Sequence, residues 1–263
     1  MTYRALTRRL KAAGIDSPAT DARLLLSHFC GAEAAAILAD PDRDYTNAAL
    51  DAAVRARETR IPLQHILGEA YFFGNRFAVS PDCLIPRADT ELLVEEACRL
   101  LPEGACFADL CTGSGCIAVS VLAARPDTAA LAVDVSEEAL AMAKQNAAAC
   151  GVSERIELLC ADILKDAVCA PDYILSNPPY IRRDVIPTLA PELSHEPTLA
   201  LDGGEDGLDF YRALVARFSP KLFLLEIGFD QGDAVAALGK AAGYTATVKQ
   251  DLGGRDRLVV LTR

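Results

Sequence analysis

The sequence predicts an α/β protein: an open, mostly parallel sheet covered by helices on both faces, preceded by a small helical bundle and a β-hairpin. Three observations lead there. From Cys106 onward, short apolar runs alternate with helical patterns, the order that builds parallel strands joined by crossover helices. From Met1 to about Gly68 the patterns are helical throughout, and between the two regions aromatic and β-branched runs flank a Gly-Asn pair. With 263 residues, 51% of them hydrophobic, the chain can bury the core of one large or two modest domains.

In the N-terminal region, Ser17-Pro18 reads as an N-cap followed by proline at the first helical position. It opens a run with Leu24, Leu25, Leu26, His28 and Phe29 that Gly31 ends. Ala32 to Leu38 gives a second short helix, Pro41 breaks it, and Thr46 is expected to cap a helix through Arg60. Short helices joined by short loops predict a bundle over residues 1–68, and its mixed arginines and acids make a solvated face rather than a binding patch. Residues 69–83 are expected to form a hairpin turning at Gly74-Asn75 and docking the bundle onto the second domain, 84–263. Leu84 to Glu91 leads into a helix through Leu101, with acids in its first turn where they suit the macrodipole.

The predicted strands of the second domain are Cys106–Leu110, Ala130–Asp134, Ile156–Cys160, Tyr173–Ser176, Leu222–Ile227, Tyr244–Val248 and Leu258–Leu261. In such a sheet, ligands bind beyond the strands' carboxyl ends, so the residues just after each strand carry the functional reading. After the first strand comes Asp109-Leu110-Cys111-Thr112-Gly113-Ser114-Gly115-Cys116. Its glycines allow a tight turn and close approach to a ligand, while Cys111 stands where a dinucleotide fingerprint has its first glycine, which weakens a nicotinamide reading. Asp134 ends the second strand at the spacing of an acid that accepts both hydroxyls of a ribose. Asp162 and Ile163 follow the third strand and offer an acceptor and an apolar surface to a purine ring.

Asn177-Pro178-Pro179-Tyr180 follows the fourth strand. Asn177 offers a side-chain carbonyl, and the two successive prolines hold their carbonyls at fixed angles, so that of Pro178 is a second acceptor positioned in advance. Two acceptors can therefore converge on one planar NH2 group, with Tyr180 over its face. Holding both hydrogens favours pyramidalisation of the nitrogen and aims its lone pair at an electrophile. Glycine loop, ribose acid, purine site and amide trap occur in strand order. Together they describe a nucleoside across the strand ends with its reactive end toward a trapped amine, and S-adenosylmethionine suits this better than a nucleotide because no anchored phosphate is required.

Composition narrows the partners. A formal net charge of −11 repels polyanions, which disfavours a nucleic-acid substrate. No apolar run approaches the roughly 20 residues needed to cross a bilayer, and the first residues lack a signal peptide's apolar core, so a cytoplasmic location is expected. The nine cysteines form no Cys-x-x-Cys pair and read as small buried hydrophobes; no metal is expected.

The chain resembles the release factor N5-glutamine methyltransferases, the HemK/PrmC family, over nearly its whole length. The resemblance is carried by Pro62 to Gly68, Phe72-Phe73-Gly74, Ile85-Pro86-Arg87 with Thr90-Glu91, Asp109 to Gly115, Asn177 to Ile181 and Glu196-Pro197. It continues through Leu201 to Gly204 with Asp206-Gly207-Leu208, Glu226-Ile227-Gly228 with Gln231-Gly232, and Asp251 to Asp256. It implies a class I methyltransferase sheet, Rossmann-like with the last strand antiparallel, and methylation of the glutamine amide in the Gly-Gly-Gln motif of class I peptide chain release factors, with S-adenosyl-L-homocysteine as product. By position, Asp109, Thr112, Gly113, Ser114, Gly115, Cys116, Asp134, Asp162, Ile163 and Asn177 are the expected cofactor residues. Asn177 to Tyr180 hold the glutamine, with Asn177, Pro178 and Tyr180 catalytic, and Arg87 and Glu91 also on the substrate side. The bundle is expected to recognise the release factor, and the protein to be a monomer. Two departures stand out: Ala88 and Asp89 occupy positions where the family often has proline and glutamate, and Ile163 a position often aromatic. Asn-Pro-Pro-Tyr is shared with adenine-N6 methyltransferases, so that activity, or a non-catalytic nucleoside-binding scaffold, stays as an alternative.

Overall fold

The computed structural model describes residues 1–263. It divides into two compact units, Met1–Glu69 with Ala190–His195, and Ala70–Leu189 with Glu196–Arg263.

The first unit contains five helices: α1 (Tyr3–Ala12), α2 (Pro18–Cys30), α3 (Ala34–Ala39), α4 (Ala48–Glu58) and α5 (Leu63–Leu67). Pro18 opens α2 behind Ser17, and Gly31 closes it with φ 64°, the left-handed conformation that glycine adopts without steric cost. Asn47, not Thr46, caps α4: its side-chain oxygen accepts from the backbone N–H groups of Ala49 and Leu50. Leu6, Leu10, Leu25, Leu26, Leu50 and Val54 are buried together at the centre. The short segment Pro191–His195 was not legible as part of this unit. A buried charge cluster accounts for it, because Arg57 pairs with Asp21 at 2.8 Å and with Glu192 at 3.1 Å, and Arg60 reaches the other Glu192 oxygen at 2.8 Å.

The second unit, from Ala70, opens within the hairpin formed by β1 (Glu69–Phe72) and β2 (Asn75–Ala78). Its turn is Phe73-Gly74, with φ 47° and 74°, rather than the expected Gly74-Asn75. Two bonds hold Phe73 in this unusual backbone: its N–H donates to Glu91 Oε1 at 2.7 Å, and its carbonyl accepts from Asn75 Nδ2 at 3.0 Å. Phe72 and Phe77 are buried edge-to-face and belong to the main core. Helix α6 (Glu91–Leu100) follows a 3-10 turn, Ala88–Thr90.

The remaining elements are β3 (Cys106–Leu110), α7 (Cys116–Ala124), β4 (Ala129–Asp134), α8 (Glu137–Ala149), β5 (Ile156–Cys160), β6 (Tyr173–Ser176), α9 (Asp209–Arg217), β7 (Leu222–Glu226), α10 (Gly232–Ala241), β8 (Thr245–Gln250) and β9 (Asp256–Thr262). The sheet order is β5-β4-β3-β6-β7-β9-β8, parallel except that β9 runs antiparallel to both neighbours. Both faces are covered. Phe107, Leu175 and Leu224 pack into one core, Ala108, Ile174 and Phe223 into the other, and every residue of β7 is buried. Cys106, Cys160 and Cys169 are exposed, contrary to the expectation of burial, because they sit at strand ends or in a loop.

The sheet reverses its winding at β3, which lies between β4 on one side and β6 on the other. Leu110 pairs with Ser176, so the chain leaves both strands at the same level, and the loops 111–116 and 177–180 emerge side by side. That is the switch point at which open sheets bind ligands.

Candidate active site

A cavity of about 260 Å³ opens at this switch point, lined by residues of the second unit. Its floor is the loop between β3 and α7. Cys111 has φ 63°, the backbone a glycine would adopt freely, so the departure from the glycine fingerprint keeps the fingerprint's geometry at a cost of about 1 kcal/mol or more. Asp109 does not reach the cavity. It is fully buried beneath the loop, where its Oδ2 accepts from Thr112 Oγ1 at 2.6 Å and from the Ala118 backbone N–H at 3.1 Å. Burial raises this carboxyl to about 7 against those two bonds, and its Oδ1 has no partner. Gly115 also lies behind the wall: a Cβ there would stand 3.0 Å from that of Ala143, so its role is close packing of α7 against α8.

Thr112, Gly113, Ser114 and Cys116 do line the cavity. Burial pushes the Cys116 thiol up, which keeps it protonated and apolar. Asn146 of α8, which the sequence reading passed over, fixes this loop from outside. Its Nδ2 donates to the carbonyls of Ser114 and Ala78, and its Oδ1 accepts from the Ala78 N–H, tying the hairpin to the glycine loop.

Asp134 lines the opposite wall. Its Oδ2 accepts from the Gly113 N–H at 2.8 Å and its Oδ1 from the Ser136 N–H at 3.0 Å, so the carboxylate is aimed while each oxygen keeps a second lone pair. Burial raises its pKa, opposed by the backbone donors of Ser136, Gly113 and Val135. Asp162 and Ile163 continue the wall. The Asp162 carboxylate accepts from the Leu164 N–H and pairs with Lys165 at 2.7 Å, which lowers its pKa, while buried Ile163 presents an apolar surface. An aimed carboxylate beside an apolar wall fits the ribose and base of a nucleoside, and no fixed phosphate cradle is needed.

Asn177 and Pro179 line the cavity on the β6 side, whereas Pro178 and Tyr180 do not. Asn177 Nδ2 donates to Thr90 Oγ1 at 3.3 Å, leaving Oδ1 as the acceptor available to a ligand. Tyr180 packs against the second core, where burial raises its phenol to about 12. Its backbone is clamped: Gln231 Nε2 donates to the Tyr180 carbonyl at 2.9 Å and to the Gly207 carbonyl at 3.2 Å, and Gln231 Oε1 accepts from Gly228 N–H. Gly203 lies so close that a Cβ would stand 2.7 Å from Tyr180 Cα. Ile181 bonds reciprocally with Leu201 and Gly203, forming a short parallel bridge with this glycine segment.

Arg87 reaches the cavity wall, but its guanidinium is paired with Glu196. The other Glu196 oxygen accepts from the Ile85 N–H at 2.9 Å, so a carboxylate 111 residues along the chain holds the Ile-Pro-Arg segment in place. Glu91 points elsewhere, into the hairpin turn through Phe73. Thr90, Glu196, Gln231 and Gly203 carry the site's framework, and their only sequence signal is membership of the motifs shared with the resembled family.

The comparisons with known proteins agree with this geometry. A family model described as the PrmC N-terminal domain matches residues 2–68, and one described as the methyltransferase small domain matches residues 88–204. The release factor glutamine methyltransferase of Cereibacter sphaeroides is 48% identical across 97% of this chain and 95% of its own length. That of Caulobacter vibrioides is 42% identical across 98% and 94%. Among solved structures, the hMettl16 catalytic domain in complex with MAT2A 3′UTR hairpin 6 has the same fold, with a TM-score of 0.57, 14% identity and 82% of each chain covered. The protein-(glutamine-N5) methyltransferase (release factor-specific) of Alicyclobacillus acidocaldarius is 35% identical across 71% of this chain and 99% of that one, with a TM-score of 0.42. With relatives so similar from end to end, the chain belongs to the release factor glutamine methyltransferase family.

Proposed function

We propose that the chain transfers a methyl group from S-adenosyl-L-methionine to the side-chain amide nitrogen of the glutamine in the Gly-Gly-Gln motif of class I peptide chain release factors. The observation that carries the reading is the pairing of Leu110 with Ser176, which sets the Asn177 loop beside the glycine loop on one cavity. A nucleoside site and an amide trap then share one space.

When bound, S-adenosyl-L-methionine supplies an electrophilic methyl group on a sulfonium centre. Asp134 accepts the ribose hydroxyls through its free lone pairs, and Ile163 flanks the base. Asn177 Oδ1 takes one amide hydrogen of the glutamine from the cavity side, and the carbonyl of Pro178, a residue outside the cavity lining, takes the other, which turns the nitrogen lone pair toward the cavity. Both bonds strengthen as the nitrogen gains positive charge, so they stabilise the transition state more than the ground state. The amide proton leaves for water once the new C–N bond has formed, and no strong base is required. A glutamate in the same place would bring two acceptors against two acceptors, which disfavours it by a factor on the order of 10⁴.

Glu91 serves this site indirectly by fixing the hairpin turn, and Arg87 by its pairing with Glu196. The helical unit, over which the PrmC N-terminal model matches, recognises the release factor, and the reaction belongs to the cytoplasm, where peptide release takes place. No helix is long and apolar enough to cross a membrane. The test is incubation of the purified chain with labelled cofactor and either release factor or nucleic acid, followed by mass spectrometry of the Gly-Gly-Gln peptide. One added methyl on that glutamine is expected, and label in nucleic acid alone would overturn the reading. Asn177→Ala should lower turnover by about 10²- to 10³-fold while cofactor affinity measured by calorimetry stays within about threefold.

A further inference from the structure

We infer that Glu91 and Asn146 are positioning residues that carry the register of the hairpin to the glycine loop, so that a carboxylate outside the cavity sets the affinity for the cofactor. This inference rests on the proposed binding of S-adenosyl-L-methionine and concerns what holds its loop in place. Neither residue lines the cavity, and each engages backbone groups of the hairpin.

The hairpin has a choice of turn. A two-residue turn with left-handed backbone at both positions matches the twist of the strands, and a Gly-Asn pair accepts that backbone readily. Gly74-Asn75 meets the preference, whereas a turn at Phe73-Gly74 puts a phenylalanine at φ 47°, which disfavours it by about 5- to 30-fold. The chain nevertheless turns at Phe73-Gly74, and Glu91 supplies the reason, because its Oε1 accepts from the Phe73 N–H at 2.7 Å. A turn at Gly74-Asn75 would take Phe73 into the strand and withdraw that donor. Moving the turn by one residue slides β2 along β1 by two residues, about 7 Å. Glu91 therefore selects one of two registers.

The register matters because of what lies at the end of β2. Ala78, its last residue, faces Asn146 of α8, which is 1% exposed. Asn146 Oδ1 accepts from the Ala78 N–H at 2.7 Å, and Nδ2 donates to the Ala78 carbonyl at 3.1 Å and to the Ser114 carbonyl at 2.9 Å. Both amide hydrogens and the oxygen are committed. Since backbone N–H and C=O groups cannot exchange character, the amide has a single orientation. Ser114 lines the cavity next to Gly113, whose N–H is held by Asp134. The loop is thus fixed at successive residues, by Asp134 at Gly113 and by Asn146 at Ser114. With β2 displaced, Ala78 leaves Asn146, and the amide loses the two bonds that aim its NH2 at Ser114.

The test uses the full-length chain as wild type, Glu91→Ala, Glu91→Gln, Asn146→Ala, Glu91→Ala/Asn146→Ala and Phe73→Asn/Glu91→Ala, each checked by thermal melting. Affinity for S-adenosyl-L-methionine is read by calorimetry, and the register by hydrogen exchange at the Ala78 N–H in the cofactor-free state. Glu91→Ala is expected to bind the cofactor about tenfold more weakly and to lose protection at Ala78, while Glu91→Gln, which keeps the acceptor, retains both. Asn146→Ala should weaken the cofactor to a similar extent. The combined variant should be weaker than either single one by no more than about twofold, since both break the same link. Phe73→Asn places asparagine before Gly74, the pair that favours this turn unaided. Adding it to Glu91→Ala should restore affinity and protection, even where Glu91→Ala alone fails to fold. Affinity within about twofold of wild type in Glu91→Ala, or no recovery on adding Phe73→Asn, would overturn the inference alone. A wild-type chain that binds no S-adenosyl-L-methionine would overturn the function on which it rests as well.

Discussion

Replacing Gly203 by alanine should damage catalysis without touching any side chain at the site. The added Cβ would stand 2.7 Å from Tyr180 Cα, 2.8 Å from Tyr180 C and 2.9 Å from the Pro179 carbonyl oxygen. All three are backbone atoms, so no rotamer change relieves the overlap, and restoring ordinary contact near 3.4 Å or more requires the Asn177–Tyr180 loop to move by roughly 0.5–1 Å. The far side offers little room, because Gln231 holds the Tyr180 carbonyl and Ile181 is bonded to Leu201. Overpacking of this kind costs about 1–3 kcal/mol of stability. The acceptors move with the backbone, and a displacement near 1 Å lowers turnover by about 10²-fold, or ~2.7 kcal/mol in the barrier. The cofactor wall formed by Thr112, Gly113, Asp134 and Ile163 is not in contact with Gly203, so cofactor affinity should stay within about threefold. Single-turnover methyl transfer and calorimetric titration on the same sample make the comparison. A variant that folds, binds cofactor and keeps kcat within about threefold of wild type would refute the claim that this glycine sets the loop's position.

Three further outcomes are expected. Asp134→Ala removes both lone pairs offered to a ribose and frees the Gly113 N–H, so cofactor affinity should fall by about 2–4 kcal/mol, or ~30- to 1000-fold by calorimetry. Asp109 binds a proton more tightly folded than unfolded, since burial raises its carboxyl from an ordinary 3.8 to about 7. Its contribution is therefore fully present below about pH 4 and is lost as pH rises through about 7, by roughly 4 kcal/mol. Asp109→Asn should flatten the corresponding fall in the cofactor-free protein, read from urea unfolding at pH 5 and pH 7.5; an unchanged difference between the two pH values would count against it. Arg57→Leu leaves Asp21 and Glu192 without their shared cation in a buried place, and chemical unfolding should report a loss of about 3–5 kcal/mol.

The sequence exposed the parts of the molecule whose cause is local. Strands β3, β5 and β6 begin and end at the expected residues because each is a short apolar run interrupted by turn or loop residues. That Asp134, Ile163 and Asn177 line the cavity was legible because the carboxyl end of a parallel strand is a position that can be counted along the chain. Where the cause is distant, local signals misled. Gly74-Asn75 is a strong turn pair, yet the turn moved one residue back, since Glu91 and Asn75 both bind Phe73 and secure its left-handed backbone. Asp109 was expected at the cofactor by its position in the resembled family, and instead lies under the loop that it shapes.

The framework of the site belongs to the second kind. Glu196 holds Ile85 and Arg87, Gln231 holds Tyr180, and Thr90 holds Asn177 across 87 residues, and none of these pairs has a periodicity or spacing that links its members. Each joins a buried polar side chain, Glu196, Gln231 or Thr90, to the group that satisfies it, so the buried member makes no physical sense in isolation. This explains why shared motifs such as Glu-Pro, Gly-Gly and Glu-Ile-Gly could be recognised without being understood. The residues that line the cavity reveal themselves by their chemistry, and those that aim them become legible only when the fold brings donor and acceptor together.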